Sequence, residues 1–86
     1  MRGDMTMTSD EVRAWLIDRV AYHLDRDPAR IRPDVPLADY GLDSVYAMGV
    51  SGDIEDEFGI AVEAADLWER PTIDALAAHL VDQVGG

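Results

Sequence analysis

Ser44 is the residue whose type and position can carry chemistry. In Asp39-Tyr40-Gly41-Leu42-Asp43-Ser44 a turn-forming glycine and an aspartate lead into the serine, and helical spacing starts there. A hydroxyl at a helix start lies at the positive end of the helix dipole. A phosphate carried on that oxygen is therefore stabilised by the dipole and by free amide groups. The same position suits a plain N-cap, the commoner use of serine there. Other reactive groups are scarce. Cysteine is absent, which excludes a disulfide framework and a thiolate metal site, so any thiol chemistry needs a borrowed thiol. The basic residues are all arginine, which excludes a Schiff base and a phosphate-gripping lysine. His23 and His79 are the only imidazoles, and no nucleophile–base spacing singles itself out. His23 reads as an edge-of-core residue and His79 as a solvent-facing one beside an apolar stripe.

The elements that must position Ser44 are legible in outline. Thr8-Ser9-Asp10-Glu11 fits a capping box, and Val12, Trp15, Leu16, Val20 and Leu24 then recur at helical spacing. Pro28 predicts the end of this helix near Asp25. From about Asp25 to Asp43 no period holds, and Pro28, Pro33, Pro36 and Gly41 punctuate the stretch. Ile31, Val35, Leu37, Tyr40 and Leu42 are spaced through it, so it is expected to be an ordered strap. A second helix is predicted over 44–58, with Val45, Met48, Ile54 and Phe58 on one side and Val50 displaced from it. Gly49 and Gly52 inside it each cost about 1 kcal/mol against alanine, and mark a close approach or a tolerated weakness. Asp53-Ile54-Glu55-Asp56-Glu57-Phe58-Gly59 superficially resembles a calcium loop, but without the ligand spacing and central glycine it reads as helix. Gly59 ends it, a short helix covers about Ala64 to Trp68, and Thr72 caps a last helix with Ile73, Leu76, Ala77, Leu80 and Val84 inward. Trp15 and Trp68 are structural by default, with Trp68 also placed to line a cleft near the short third helix.

The fold class expected is all-α: a small bundle of three main helices plus one short helix, with a long ordered loop between the first and second. A chain of 86 residues holds one small core, which disfavours an enclosed active site. Residues 1–7 are expected to be a disordered tail without the apolar core of a secretion signal, and residues 8–84 the domain. Charge is distributed unevenly. Residues 33–69 hold ten acidic side chains and no basic one, so they carry almost all of the net −11. That excess serves solubility, or a docking face for partners with basic surfaces. Nucleic acid is repelled on either reading, and no apolar run spans a membrane.

Gly41-Leu42-Asp43-Ser44-Val45, then Glu57-Phe58-Gly59-Ile60, then Trp68-Glu69-Arg70-Pro71-Thr72-Ile73 resemble the acyl carrier protein family, over roughly Thr8 to Val84. The resemblance implies a non-catalytic carrier. A phosphopantetheinyl transferase moves 4'-phosphopantetheine from coenzyme A to the Ser44 hydroxyl with magnesium, and the arm's thiol holds acyl groups as thioesters. Asp43 matches the family acid beside the serine. The helix after the serine is the family's main recognition surface, which implies apolar partner contacts at Val45 and Met48 and charge from Asp53, Glu55, Asp56 and Glu57. Tyr46, bulky for an exposed first turn, is placed to touch the acyl group or a partner. Many carriers have an acid five positions after the serine, where this chain has Gly49.

Gly-Leu-Asp-Ser is more similar to polyketide-type acyl carriers than to peptidyl carriers, and Ser51-Gly52-Asp53-Ile54-Glu55 is similar to carriers that accept chains from fatty acyl-AMP ligases. The implied partners are the transferase, an acyl-loading enzyme (acyltransferase or fatty acyl-AMP ligase), and a ketosynthase or other processing enzyme. No metal, nucleic-acid or membrane partner is expected, and the chain is expected to be monomeric and cytoplasmic, with its initial Met1 favouring a free-standing protein. The alternatives are a peptidyl carrier of nonribosomal peptide synthesis, and a non-carrier acidic helical interaction domain in which Ser44 only caps.

Overall fold

Thr8 and Glu11 close the first helix reciprocally. The Thr8 amide donates to Glu11 Oε1 at 2.8 Å and the Glu11 amide to Thr8 Oγ1 at 3.1 Å, which satisfies two donors that a helix start leaves open. The helix so begun, α1, runs Ser9–Leu24. It stops where Asp25 turns left-handed at φ 55° and gives its amide to the Ala21 and Tyr22 carbonyls. The computed structural model describes the backbone of residues 8–85 and the side chains of residues 8–83. The expected tail, residues 1–7, lies outside the described residues.

Val12, Leu16, Val20 and Ala21 are the buried face of α1. Trp15 is half-buried beside them, its ring edge-on to Phe58 with 4.9 Å between centroids. Past Pro28 the connection forms two 3-10 turns, Pro28–Arg30 and Leu37–Tyr40, which the irregular spacing did not reveal. Ile31, Leu37 and Leu42 are buried and Val35 and Tyr40 half-buried, so the stretch is a strap over the core. Its backbone is tied to the far side of the bundle: the Leu37 amide donates to the Pro71 carbonyl at 2.7 Å, and the Asp74 amide to the Pro33 carbonyl at 3.0 Å. Tyr40 Oη accepts from the Arg32 amide at 2.8 Å, pinning the strap to itself just before Gly41.

Three further helices follow: α2, Ser44–Phe58; α3, Ala64–Glu69; and α4, Ile73–Gly85. The last turns of α2 occupy the stretch with the superficial look of a calcium loop. Thr72 Oγ1 accepts the Ala75 amide at 3.1 Å at the start of α4, whose Ile73, Leu76, Ala77 and Leu80 are buried. Helix α1 packs against α2 and α4, and α2 against α3. Arg13 bridges α1 and α4, reaching Asp74 Oδ1 at 3.2 Å while also paired with Asp10. Those two carboxylates, Asp10 foremost, raise the affinity of the Arg13 guanidinium for its proton. Exposed pairs of this kind are screened by water and salt and contribute little, so the core makes the larger contribution. Among the described residues there is no strand, and the architecture is the small all-α bundle expected.

Helix α2 corrects the expected stripe. Its inward face is Ala47, Val50, Ser51 and Ile54, at i, i+3, i+4 and i+7. Val50 thus belongs to the core, whereas Val45 and Met48 are 75% and 65% exposed. The inward Ser51 satisfies its hydroxyl by donating to the Met48 carbonyl at 2.9 Å.

Candidate functional site: the loop–helix junction at Ser44

Gly41 sits at φ 91°, a left-handed turn that residues with a Cβ rarely adopt. Its amide donates to the Ala38 and Leu37 carbonyls. That turn brings Leu42 down into the core and leaves Asp43 and Ser44 exposed. Asp43, extended at φ −117° and ψ −174°, is the N-cap of α2. Its Oδ1 accepts the Val45 amide at 3.0 Å and the Tyr46 amide at 3.1 Å, and its carbonyl accepts the Ala47 amide at 2.8 Å.

Two consequences follow for the expectations raised by the sequence. Ser44 is the first helical residue and not the cap, and among the described residues its hydroxyl makes no hydrogen bond. The expected supply of free amides is also smaller than anticipated, because the Asp43 carboxylate takes two of them. A phosphate on Ser44 therefore has the helix dipole and its own covalent bond to hold it. The fit to a covalent group stands on the free, exposed hydroxyl.

The other candidate residues fall into two sets. Val45, Met48, Gly52 and Glu55 recur at i, i+3, i+7 and i+10, and all are exposed, so they form one outward stripe. A Cβ on Gly52 would meet nothing within 4 Å, so the stripe is flat there. Tyr46, Asp56 and Glu57 are exposed to one side. Asp53 points to that same side but is held against α1: its Oδ2 lies 2.7 Å from His23 Nε2 and 3.6 Å from Arg19 Nη1. Asp53 is thus engaged with α1 and does not join the free charge of the stripe. An open groove of about 390 Å³ lies between α1 and α2, lined by Trp15, Asp18, Arg19, Asp53, Asp56 and Glu57. It belongs to the later turns of α2 and does not include Ser44. Trp68 on α3 is 45% exposed, and His79 is half-buried on α4.

A free serine thus stands at the head of a helix, set there by a strapped loop on a small all-α bundle. Residues 14–80 match the phosphopantetheine attachment site family, and the chain belongs to it. Among curated proteins, it is 40% identical over 80 residues to a phenolphthiocerol/phthiocerol polyketide synthase of Mycobacterium tuberculosis, a match covering 93% of this chain and 4% of that protein. The chain therefore spans a small part of that relative's length. Among solved structures, a free-standing peptidyl carrier protein from an uncharacterized Acinetobacter baumannii secondary metabolic pathway superposes with a TM-score of 0.86 at 39% identity, covering 88% of this chain and 95% of that one. Acyl carrier protein LipD from Actinoplanes friuliensis gives 0.73 at 42% identity, with 95% and 97% covered. The chain is a carrier protein domain, related to the acyl carrier domains of polyketide synthases.

Proposed function

We propose that Ser44 Oγ is the atom that carries the arm, and that this chain tethers acyl intermediates for partner enzymes in a polyketide or lipid-type pathway. The observation that supports it most is the division of roles at the junction. Asp43 performs the capping, so Ser44 is left exposed and unbonded at the helix start. Attachment from coenzyme A forms one Oγ–phosphorus bond, breaks the pyrophosphate bond, and releases adenosine 3',5'-bisphosphate and the hydroxyl proton. The transferase and its magnesium supply that chemistry. Once attached, the 4'-phosphopantetheine arm supplies the thiol this chain lacks, on which acyl groups ride as thioesters.

The chain's own part is presentation, and catalysis is left to its partners. Val45 and Met48 offer exposed apolar contact, flanked by Tyr46, and Glu55, Asp56 and Glu57 offer charge to a basic partner surface. The partners proposed are a phosphopantetheinyl transferase, an acyltransferase or fatty acyl-AMP ligase, and a ketosynthase or other processing enzyme. A cytoplasmic, monomeric carrier suits them. No helix of the described residues is long and apolar enough to cross a membrane.

The test is intact mass after incubation with coenzyme A, magnesium and a broad-specificity transferase. One phosphopantetheine should be gained by the parent and none by Ser44→Ala. No gain, under conditions that modify a known carrier, returns the chain to a plain interaction domain. The similarity to a free-standing peptidyl carrier favours one second reading, an aminoacyl cargo. Loading of the modified chain by an amino-acid-activating enzyme, and not by acyl-loading enzymes, would establish it.

A further inference from the structure

The space beside Gly49 on α2 is filled from α1. A Cβ at Gly49 would lie 2.7 Å from His23 Cε1 and 2.9 Å from Nδ1, so the imidazole stands where a side chain would be. From that notch His23 Nε2 reaches Asp53 Oδ2 at 2.7 Å. Arg19 Nη1 approaches the same oxygen at 3.6 Å, and the Arg19 guanidinium lies 4.8 Å from the centre of the Tyr22 ring. Tyr22 in turn meets His23 edge-on, with 5.3 Å between ring centres. Arg19, Tyr22 and His23 of α1 thus form one group, and Arg19 and His23 hold one turn of α2, since Gly49 and Asp53 stand four residues apart. The contact is partly screened from water, with 21% of the His23 side chain and 28% of that of Asp53 exposed.

We infer that His23 is a positioning residue for recognition of α2 by the enzyme that modifies Ser44. This inference rests on the carrier reading of that serine. Gly49 lies about 7.5 Å along the helix from Ser44, and Asp53 about 13.5 Å, so the latch grips the middle of the partner-facing element. Two glycines weaken that element, and Gly49 itself offers no side chain to pack. The imidazole replaces the missing packing and, through Asp53, fixes how α2 is rotated against α1. The rotation decides how Val45 and Met48 face outward. The same contact withdraws Asp53 from the charge a partner meets. Glycine at position 49 is then a requirement of the latch: any side chain there evicts the ring.

The full chain can be assayed by intact mass in steady-state transfer from coenzyme A by a broad-specificity phosphopantetheinyl transferase, varying the carrier. His23→Ala is expected to raise KM for the carrier roughly three- to tenfold while kcat stays within about twofold. His23→Gln, whose amide can still bond Asp53, should recover most of that loss. Gly49→Ala should raise KM in the parent and leave it unchanged in the His23→Ala background. Repeating the series in sucrose, which stabilises every folded variant, separates positioning from mere softness: a KM that returns to the parent value there overturns the inference. So does a His23→Ala chain with parental KM. A parent that takes no phosphopantetheine overturns the carrier reading itself, and the role of the latch with it.

Discussion

Asp43 and Ser44 divide two tasks that neighbouring polar residues at a helix start often share. Asp43 Oδ1 takes the Val45 and Tyr46 amides, and Ser44 is left free. Removing the cap should therefore cost stability without touching the Ser44 hydroxyl. Asp43→Ala is expected to lower unfolding free energy by about 1 kcal/mol, and Asp43→Asn by less, since asparagine caps nearly as well. Urea denaturation followed by circular dichroism checks both, and equal losses for the two variants would deny the capping role. The junction itself was legible in the sequence, because Gly41 and the onset of helical spacing bracket it. Which of the two residues caps was not legible, since aspartate and serine are both strong caps and a one-residue shift in the boundary exchanges their roles.

Helix α2 presents one face and lends another. Its ends could be read from Asp43-Ser44 and Gly59, and its observed span is Ser44–Phe58. Its inward face could not. Ala47 and Ser51 are buried there, and residues so small or polar add little to a hydropathy pattern, whereas Val45 and Met48 add much while facing outward. The Asp53 link to α1 was equally hidden, because it depends on two helices meeting at Gly49 and on no local signal. The two glycines, alike in sequence, differ in place: one faces an imidazole and the other open space. Gly52→Ala should accordingly stabilise the fold by about 0.5–1 kcal/mol, the helix-propensity gain with no clash to offset it. A thermal or urea melt reads this directly. A loss of stability would mean that α2 does not stand as described.

For the molecule as a whole, charge and connection work against each other. Eleven excess negative charges repel one another across a small bundle. The strap counters by sewing the first loop to the α3–α4 joint through the Leu37–Pro71 and Pro33–Asp74 backbone bonds. Raising salt from about 10 mM to about 200 mM shortens the range of the repulsion to less than about 10 Å, so the melting temperature should rise by several degrees. A melt indifferent to salt would remove charge repulsion from the account. The strap's buried Ile31, Leu37 and Leu42 were legible as apolar residues too frequent for a free linker, while its 3-10 turns were hidden by the prolines that interrupt any period. The separation of the cap from the proposed attachment serine also has a bearing beyond this one chain. A copy changed only at Ser44 keeps its cap, its outward stripe and its latch, so it remains the same shape to every enzyme that reads shape. Under the proposed carrier function, such a copy expressed beside the parent would queue at the same docking sites empty-handed, a mute competitor whose interference measures how much of that proposed traffic is recognition and how much is cargo.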